Sequence, residues 1–109
     1  MKPIYFTITG TNFHFGDRFL EPGMQVNLEK EPENDHDKEA IKVTLPGLGT
    51  IGYVANSHRT VIGESFSAGR MYDKIEDIAL GTVLYKLDYG ILCVLSQKEA
   101  GKADDCLVF

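Results

Sequence analysis

The chain has 109 residues and a mass of 12.1 kDa, the size of one domain that can bury a core without metal or disulfide cross-links. Apolar residues make up 43% and charged residues 25%, an ordinary globular composition that excludes disordered and fibrous classes. The net charge of −5 argues against a protein that coats nucleic acid by bulk electrostatics, so any nucleic-acid site must be local and small.

The sequence has neither a membrane-spanning run nor a secretory signal. No run approaches the ~18–20 consecutive apolar residues that span a bilayer, and the N-terminal segment enters a strand pattern without an apolar signal sequence. Cys93 and Cys106 have neither the spacing of metal ligands nor that of a disulfide framework. We therefore expect a cytoplasmic protein with no cofactor and no membrane partner.

The first half of the chain alternates between apolar and polar residues, as half-buried strands do. This pattern predicts four strands, at residues 4–9, 24–30, 41–45 and 50–54. The first two are separated by an aromatic and polar loop. Residues 31–37 are predicted to be a loop as well, because proline, asparagine and aspartate favour turns. The last two strands form a predicted hairpin around Pro46 and Gly47.

One short helix is predicted next. Asn56 and Ser57 are suitable N-cap residues, and Gly69 would end the helix. Between them, three apolar residues recur at helical spacing: Val61, Ile62 and Phe66.

The last third of the chain returns to strand patterns. Residues 74–87 and 91–96 are rich in β-branched and apolar side chains, and residues 88–90 would form a hairpin loop between them. Gly81 predicts a bend or bulge in the first of these strands. Six strands with short connections favour a closed or partly closed barrel, because closure removes exposed sheet edges. The polar stretch from residue 97 is predicted to lie outside the core.

Two motifs resemble those of a known family. The segment 28–43 reads LEKEPENDHDKEAIKV, and after a short hairpin it is followed by Ile51-Gly52-Tyr53-Val54. Together with Gly10, these motifs are similar in order and spacing to the HIRAN domain. The resemblance covers roughly residues 6–95. It implies a mainly β fold, namely a small six-stranded OB-like barrel with one or two short helices. The chain would form a single domain, with a core at about residues 3–96 and a polar tail at residues 97–109.

The resemblance also implies a function. HIRAN domains fused to DNA-remodelling helicases grip the 3′-hydroxyl end of single-stranded DNA, with an aromatic pair around the terminal base and an aspartate that accepts from the hydroxyl. The matching positions here supply the aspartate as Asp37 and the rings as His36 and Phe13. The expected DNA-binding residues are Asn12, Phe13, His36, Asp37, Tyr53 and Arg59. The resemblance thus predicts a non-catalytic module that binds single-stranded DNA ends.

The residues alone leave other interpretations open. Asp37 and Asn34 could instead bond backbone amides within a turn, as short polar side chains in such loops often do. The oxygen-rich loop 31–37 could bind a cation, although it lacks the spacing of an EF-hand. No nucleophile motif or glycine-rich phosphate loop supports an enzyme.

A second function hypothesis belongs to a different class. The net acidity and the apolar C-terminal residues Leu107, Val108 and Phe109 are also compatible with a protein-interaction or self-assembly domain. In that case the chain would form a homo-oligomer through its C-terminal tail and would have no nucleic-acid ligand.

Overall fold

The structure is a computed structural model that describes residues 3–11, 18–88 and 90–96. These residues form six strands and one short helix. In chain order the elements are β1 (Tyr5–Thr9), β2 (Gln25–Lys30), β3 (Ile41–Leu45), β4 (Gly49–Val54), α1 (Ala68–Tyr72), β5 (Ile78–Leu87) and β6 (Gly90–Leu95). In the part of the chain described, no helix is long and apolar enough to cross a membrane.

The six strands form a closed antiparallel barrel. Their order around the barrel is β1-β4-β3-β2-β5-β6, and β1 pairs with β6 to close it. The predicted mainly β fold, a six-stranded OB-like barrel with a short helix, is therefore confirmed. Because consecutive antiparallel strands run in opposite directions, the β2–β3 loop and the segment after β4 reach the same end of the barrel.

The barrel interior follows the alternation in the sequence. Phe6 and Ile8 of β1 are fully buried, and each of the other strands contributes buried apolar residues to the same core. Thr7 points to the outside of the sheet, yet it is also buried, because the segment before α1 covers it. Its hydroxyl accepts the Ile62 N–H at 3.0 Å and lies 3.0 Å from the Ser65 hydroxyl.

The helix lies later in the chain than the apolar spacing predicts. Ser57 begins only a single turn, in which its hydroxyl accepts the Arg59 N–H at 3.1 Å. Phe66 belongs to an extended stretch whose N–H donates to the Tyr5 carbonyl at 2.6 Å. The N-cap of α1 is Ser67, and Gly69 lies inside the helix instead of ending it. The prediction of a helix between Asn56 and Gly69 was therefore wrong in position.

Strand β5 begins four residues later than predicted, at Ile78, and Gly81 has a different role from the one expected. The register irregularity of β5 lies between Val83 and Tyr85, not at Gly81. A Cβ atom on Gly81 would lie 2.6 Å from Cζ of Phe6. Gly81 is thus required by the space that the Phe6 ring occupies in the core.

A comparable restriction explains the glycine of the Ile-Gly-Tyr-Val motif. A Cβ atom on Gly52 would lie 2.8 Å from the carbonyl oxygen of Thr9 in the neighbouring strand β1. That contact involves backbone, which cannot move aside as a side chain can. The motif therefore contains glycine at a position where the backbone of β1 leaves no room for a side chain.

Cys93 is a core residue. Its side chain is fully buried inside the barrel, and burial raises the pKa of its thiol to about 12. A protonated, buried thiol is a small apolar group and not a nucleophile.

Candidate functional site

Three segments meet at one end of the barrel: the β2–β3 loop, the residues that follow β4, and helix α1. Asn56 connects them. Its amide nitrogen donates to Oδ2 of Asp37 at 2.7 Å, and its amide oxygen accepts the Gly69 N–H at 2.7 Å. One amide side chain therefore fixes the position of the loop relative to the helix.

The β2–β3 loop is also ordered from within by Asn34. Its amide oxygen accepts the N–H of His36 at 2.8 Å and that of Asp37 at 3.0 Å. This is the local bonding by a short polar side chain that the loop composition predicts. Consecutive N–H groups bound to one acceptor leave the backbone at His36 and Asp37 little conformational freedom.

Glu31 anchors the loop to the barrel wall. Its Oε1 accepts the Asn34 amide at 2.8 Å and the Tyr53 hydroxyl at 2.9 Å, and its Oε2 lies 3.9 Å from Nζ of Lys42. The bond from Asn34 is the main cause of a lowered pKa for Glu31, with Tyr53 and Lys42 acting in the same direction against partial burial. For Tyr53, burial and the Glu31 carboxylate raise the pKa. The network therefore holds an ionised Glu31 and a neutral Tyr53.

The structure brings some of the predicted site residues together. Asp37 is half-buried, and each of its carboxylate oxygens accepts one hydrogen bond, from the Glu39 N–H at 2.9 Å and from Asn56. The side chain of His36 beside it is exposed. Tyr53 is connected to this group through Glu31, since its hydroxyl donates to that carboxylate. Both Asn12 and Phe13 lie outside the described residues.

Arg59 is the predicted cation of the site. It follows Asn56 on the short turn that Ser57 begins, and it is exposed. It therefore belongs to the same end of the barrel as Asp37.

The sequence interpretation missed two residues of this region. Asn56 was taken as a helix N-cap, whereas it bridges Asp37 and Gly69. Arg70 was not considered, yet its guanidinium lies over the ring of Phe66, with 4.0 Å between the guanidinium carbon and the ring centroid. Ser67 was the available signal, because an N-cap at this position starts a helix that includes Arg70.

Within the described residues, several cations at this end of the barrel form no ion pair. Within the described ranges, the lysines that form ion pairs are Lys42 and Lys86. Lys38, Arg59 and Arg70 form none there, although the chain has 16 acidic residues. These cations are therefore available to an anionic ligand. Such a site would be local and small, which agrees with the net negative charge of the chain.

The acidic residues of the loop do not converge on a metal site. In residues 3–11, 18–88 and 90–96, no group of three or more histidine, cysteine, aspartate or glutamate side chains could hold a metal ion. Glu31 and Asp37 are used as hydrogen-bond acceptors in two separate clusters.

Comparison with known protein families identifies a family whose model matches most of the chain. Residues 1–73 match the model of the HIRAN domain, which is 73 of the 109 residues. The matched segment contains β1 to β4 and α1, whereas β5 and β6, which complete the barrel, follow it. No curated protein and no solved structure matches the chain.

Proposed function

Because the chain belongs to the HIRAN domain family, whose members are generally DNA-binding modules, we propose that it binds the free 3′ end of single-stranded DNA and catalyses no reaction. The pocket would contain Asn12, Phe13, His36, Asp37, Tyr53 and Arg59. The observation that carries the proposal is Asp37, a carboxylate fixed by the Glu39 N–H and by Asn56 beside an exposed imidazole and cations that form no ion pair within the described residues.

The bonding of Asp37 is compatible with a ligand. An ionised carboxylate has about four lone-pair positions, and the two bonds observed at Asp37 leave acceptor capacity for a hydroxyl group. The same negative charge would repel a 3′-phosphate. Asp37 can therefore support the turn and also distinguish a free 3′-hydroxyl from a blocked end.

Affinity would come from stacking and from phosphate contacts. Stacking of a base on an aromatic or imidazole ring contributes roughly 1–3 kcal/mol. The exposed side chain of His36 can contribute such a contact, and Arg59 can bind a phosphate. One or two such contacts give weak binding, on the order of micromolar.

Replacing Asp37 with asparagine tests this role. We expect the variant to bind a strand with a free 3′-hydroxyl about tenfold more weakly, which corresponds to the loss of one hydrogen bond to a charged group. Binding to the same strand with a 3′-phosphate should improve, because the repulsion is removed. Fluorescence anisotropy with 5′-labelled oligonucleotides measures both affinities.

The matched control is Asp35→Asn, which removes the same charge from an exposed position two residues away in the same loop. This variant should keep the preference of the wild-type chain. Equal binding of free and phosphorylated ends by the wild-type chain would reject end recognition, while leaving general DNA binding intact.

One observation favours the second function, self-assembly. Strand β5 has large apolar side chains on its outer surface, with Ile78 65% and Tyr85 63% exposed and Leu80 also exposed, and Tyr5 of β1 is exposed as well. Such a surface is typical of protein contacts. The tail residues Leu107 to Phe109 lie outside the described residues. A mass above that of one chain in light scattering, reduced by Leu80→Ser or by removal of residues 106–109, would support this function, and a monomeric mass would reject it.

A further inference from the structure

Arg70 and Phe66 form a cation–aromatic pair beside the Asp37 loop. The guanidinium carbon lies 4.0 Å from the centroid of the Phe66 ring. Arg70 is exposed and Phe66 is half-buried, so the ring has a fixed place against the barrel and supports the guanidinium from below. A stacked guanidinium keeps its N–H donors in its plane, pointing away from the ring, where a planar anionic group can be bound.

Hydrogen bonds connect the segment that carries Arg70 to Asp37. Arg70 follows Gly69, whose N–H donates to Asn56, and Asn56 in turn donates to Asp37. A single amide group therefore separates the Asp37 carboxylate from the backbone that carries Arg70. This arrangement suits a ligand that has a hydroxyl group and a phosphate close to each other.

The local charges are consistent with an anionic ligand at this place. Within the described residues Arg70 has no carboxylate partner. The carboxylate of Glu39 lies beside Gly69, the residue before Arg70, since a Cβ atom on Gly69 would be 2.7 Å from its Oε1. Glu39 and Arg70 form no ion pair. Glu39 should therefore weaken the attraction of Arg70 for an anion.

We propose that Arg70, held on the ring of Phe66, binds one of the two phosphodiester groups nearest the 3′ end of a single-stranded nucleic acid whose terminal hydroxyl contacts Asp37. The proposal rests on the proposed function for the position of the 3′ end. It adds a phosphate-binding residue that the family motifs of the sequence do not include.

The test combines protein variants with neutral linkages in the ligand. Three oligothymidylates would each carry a single uncharged methylphosphonate. In two of them it would replace one or the other of the two linkages nearest the 3′ end, and in the third it would replace the linkage nearest the 5′ end. For the wild-type chain, one of the two 3′-proximal replacements should weaken binding about tenfold, as expected for one charged hydrogen bond. The 5′ replacement should have no effect.

The Arg70→Ala variant should bind the unmodified strand about tenfold more weakly and should no longer respond to that 3′-proximal replacement. Its affinity should also depend less on salt. The slope of the logarithm of the binding constant against the logarithm of the salt concentration should be smaller by about 0.7, as expected for one lost single-strand phosphate contact. Arg70→Lys, which keeps the charge without the planar donors, should be intermediate. Glu39→Gln should bind more tightly than the wild-type chain.

Lys86→Ala is the matched control, because it removes one positive charge near the end of β5, at the opposite end of the barrel. It should leave the response to the neutral linkages unchanged. The proposal would be overturned if Arg70→Ala lost the same affinity as the wild-type chain on every methylphosphonate replacement. It would also be overturned if Arg70→Ala bound the unmodified strand as tightly as the wild-type chain.

The result is separable from end recognition. If a 3′-phosphate binds as well as a free 3′ end but Arg70 and a linkage remain coupled, the phosphate contact stands and end recognition fails. If the free end is preferred while Arg70→Ala has no effect, only the Arg70 proposal fails. No binding of any strand by the wild-type chain would overturn both.

Discussion

Replacing Gly81 with alanine is expected to lower the free energy of unfolding by about 1–3 kcal/mol, the usual range for overpacking a core. The added methyl group would lie 2.6 Å from Cζ and 2.9 Å from Cε1 of Phe6, closer than carbon atoms approach without strain. Phe6 is fully buried and cannot turn towards solvent. Urea unfolding followed by circular dichroism would measure the change.

The cause can be verified by relieving the contact. Phe6→Leu removes the ring atoms that the new methyl group would meet, so Gly81→Ala should cost less in the Phe6→Leu background than in the wild-type chain. Contacting residues commonly show interaction free energies of about 0.5–3 kcal/mol in double-mutant cycles. Additive effects would mean that Gly81 is needed for a reason other than the Phe6 ring. Gly52→Ala offers a contrast, because its clash with the Thr9 carbonyl should not be relieved by trimming a side chain.

The barrel could be predicted from the sequence because each strand has one buried face. That condition produces alternation within a few residues, and the inward positions Phe6, Ile8, Val26 and Leu28 follow from it directly. The role of Gly81 could not be predicted in the same way. It depends on a ring in β1, which is 75 positions away in the chain (81 − 6).

The position of the helix shows the limit of local patterns. Ile62 and Phe66 have helical spacing, but their backbone N–H groups bond to β1: that of Phe66 donates to the Tyr5 carbonyl and that of Ile62 to the Thr7 hydroxyl. Residues that pack against a distant strand do not have to follow the period of a helix. The N-cap preference of serine was a valid signal, but it applied to Ser67 and not to Ser57.

The sequence predicted which residues form the β2–β3 loop and its local hydrogen bonds. It predicted only part of the contacts between this loop and other segments. The turn-forming bonds of Asn34 and Asp37 follow from short-range chemistry within the loop and are confirmed. The bridge through Asn56 joins residues 19 positions apart and requires the closed barrel to bring them together. The same holds for Arg70, which has no motif of its own and reaches the site because α1 packs beside this bridge.

Glu31 is not expected to contact the ligand, but it holds the β2–β3 loop in place through Asn34 and Tyr53. We therefore expect its replacement to weaken binding strongly. Glu31→Ala deletes the acceptor of both Asn34 and Tyr53. We expect a loss of about 1.5–3 kcal/mol in the free energy of unfolding, the range for a hydrogen bond to a charged group. DNA affinity should fall at least tenfold, because Asn34 would no longer hold His36 and Asp37. Glu33→Ala, at an exposed position of the same loop, should change neither quantity.

The dependence on pH distinguishes this role from a loss of general packing. The pKa of Glu31 is lowered in the folded chain from its ordinary value of 4.5, so folding favours the ionised form. Its contribution to stability is therefore present above about pH 4.5 and is lost as the pH falls through the folded-state pKa. The difference in unfolding free energy between the wild-type chain and Glu31→Gln should shrink over that interval. A difference that stays constant down to pH 3 would mean that the charge of Glu31 does not hold the loop.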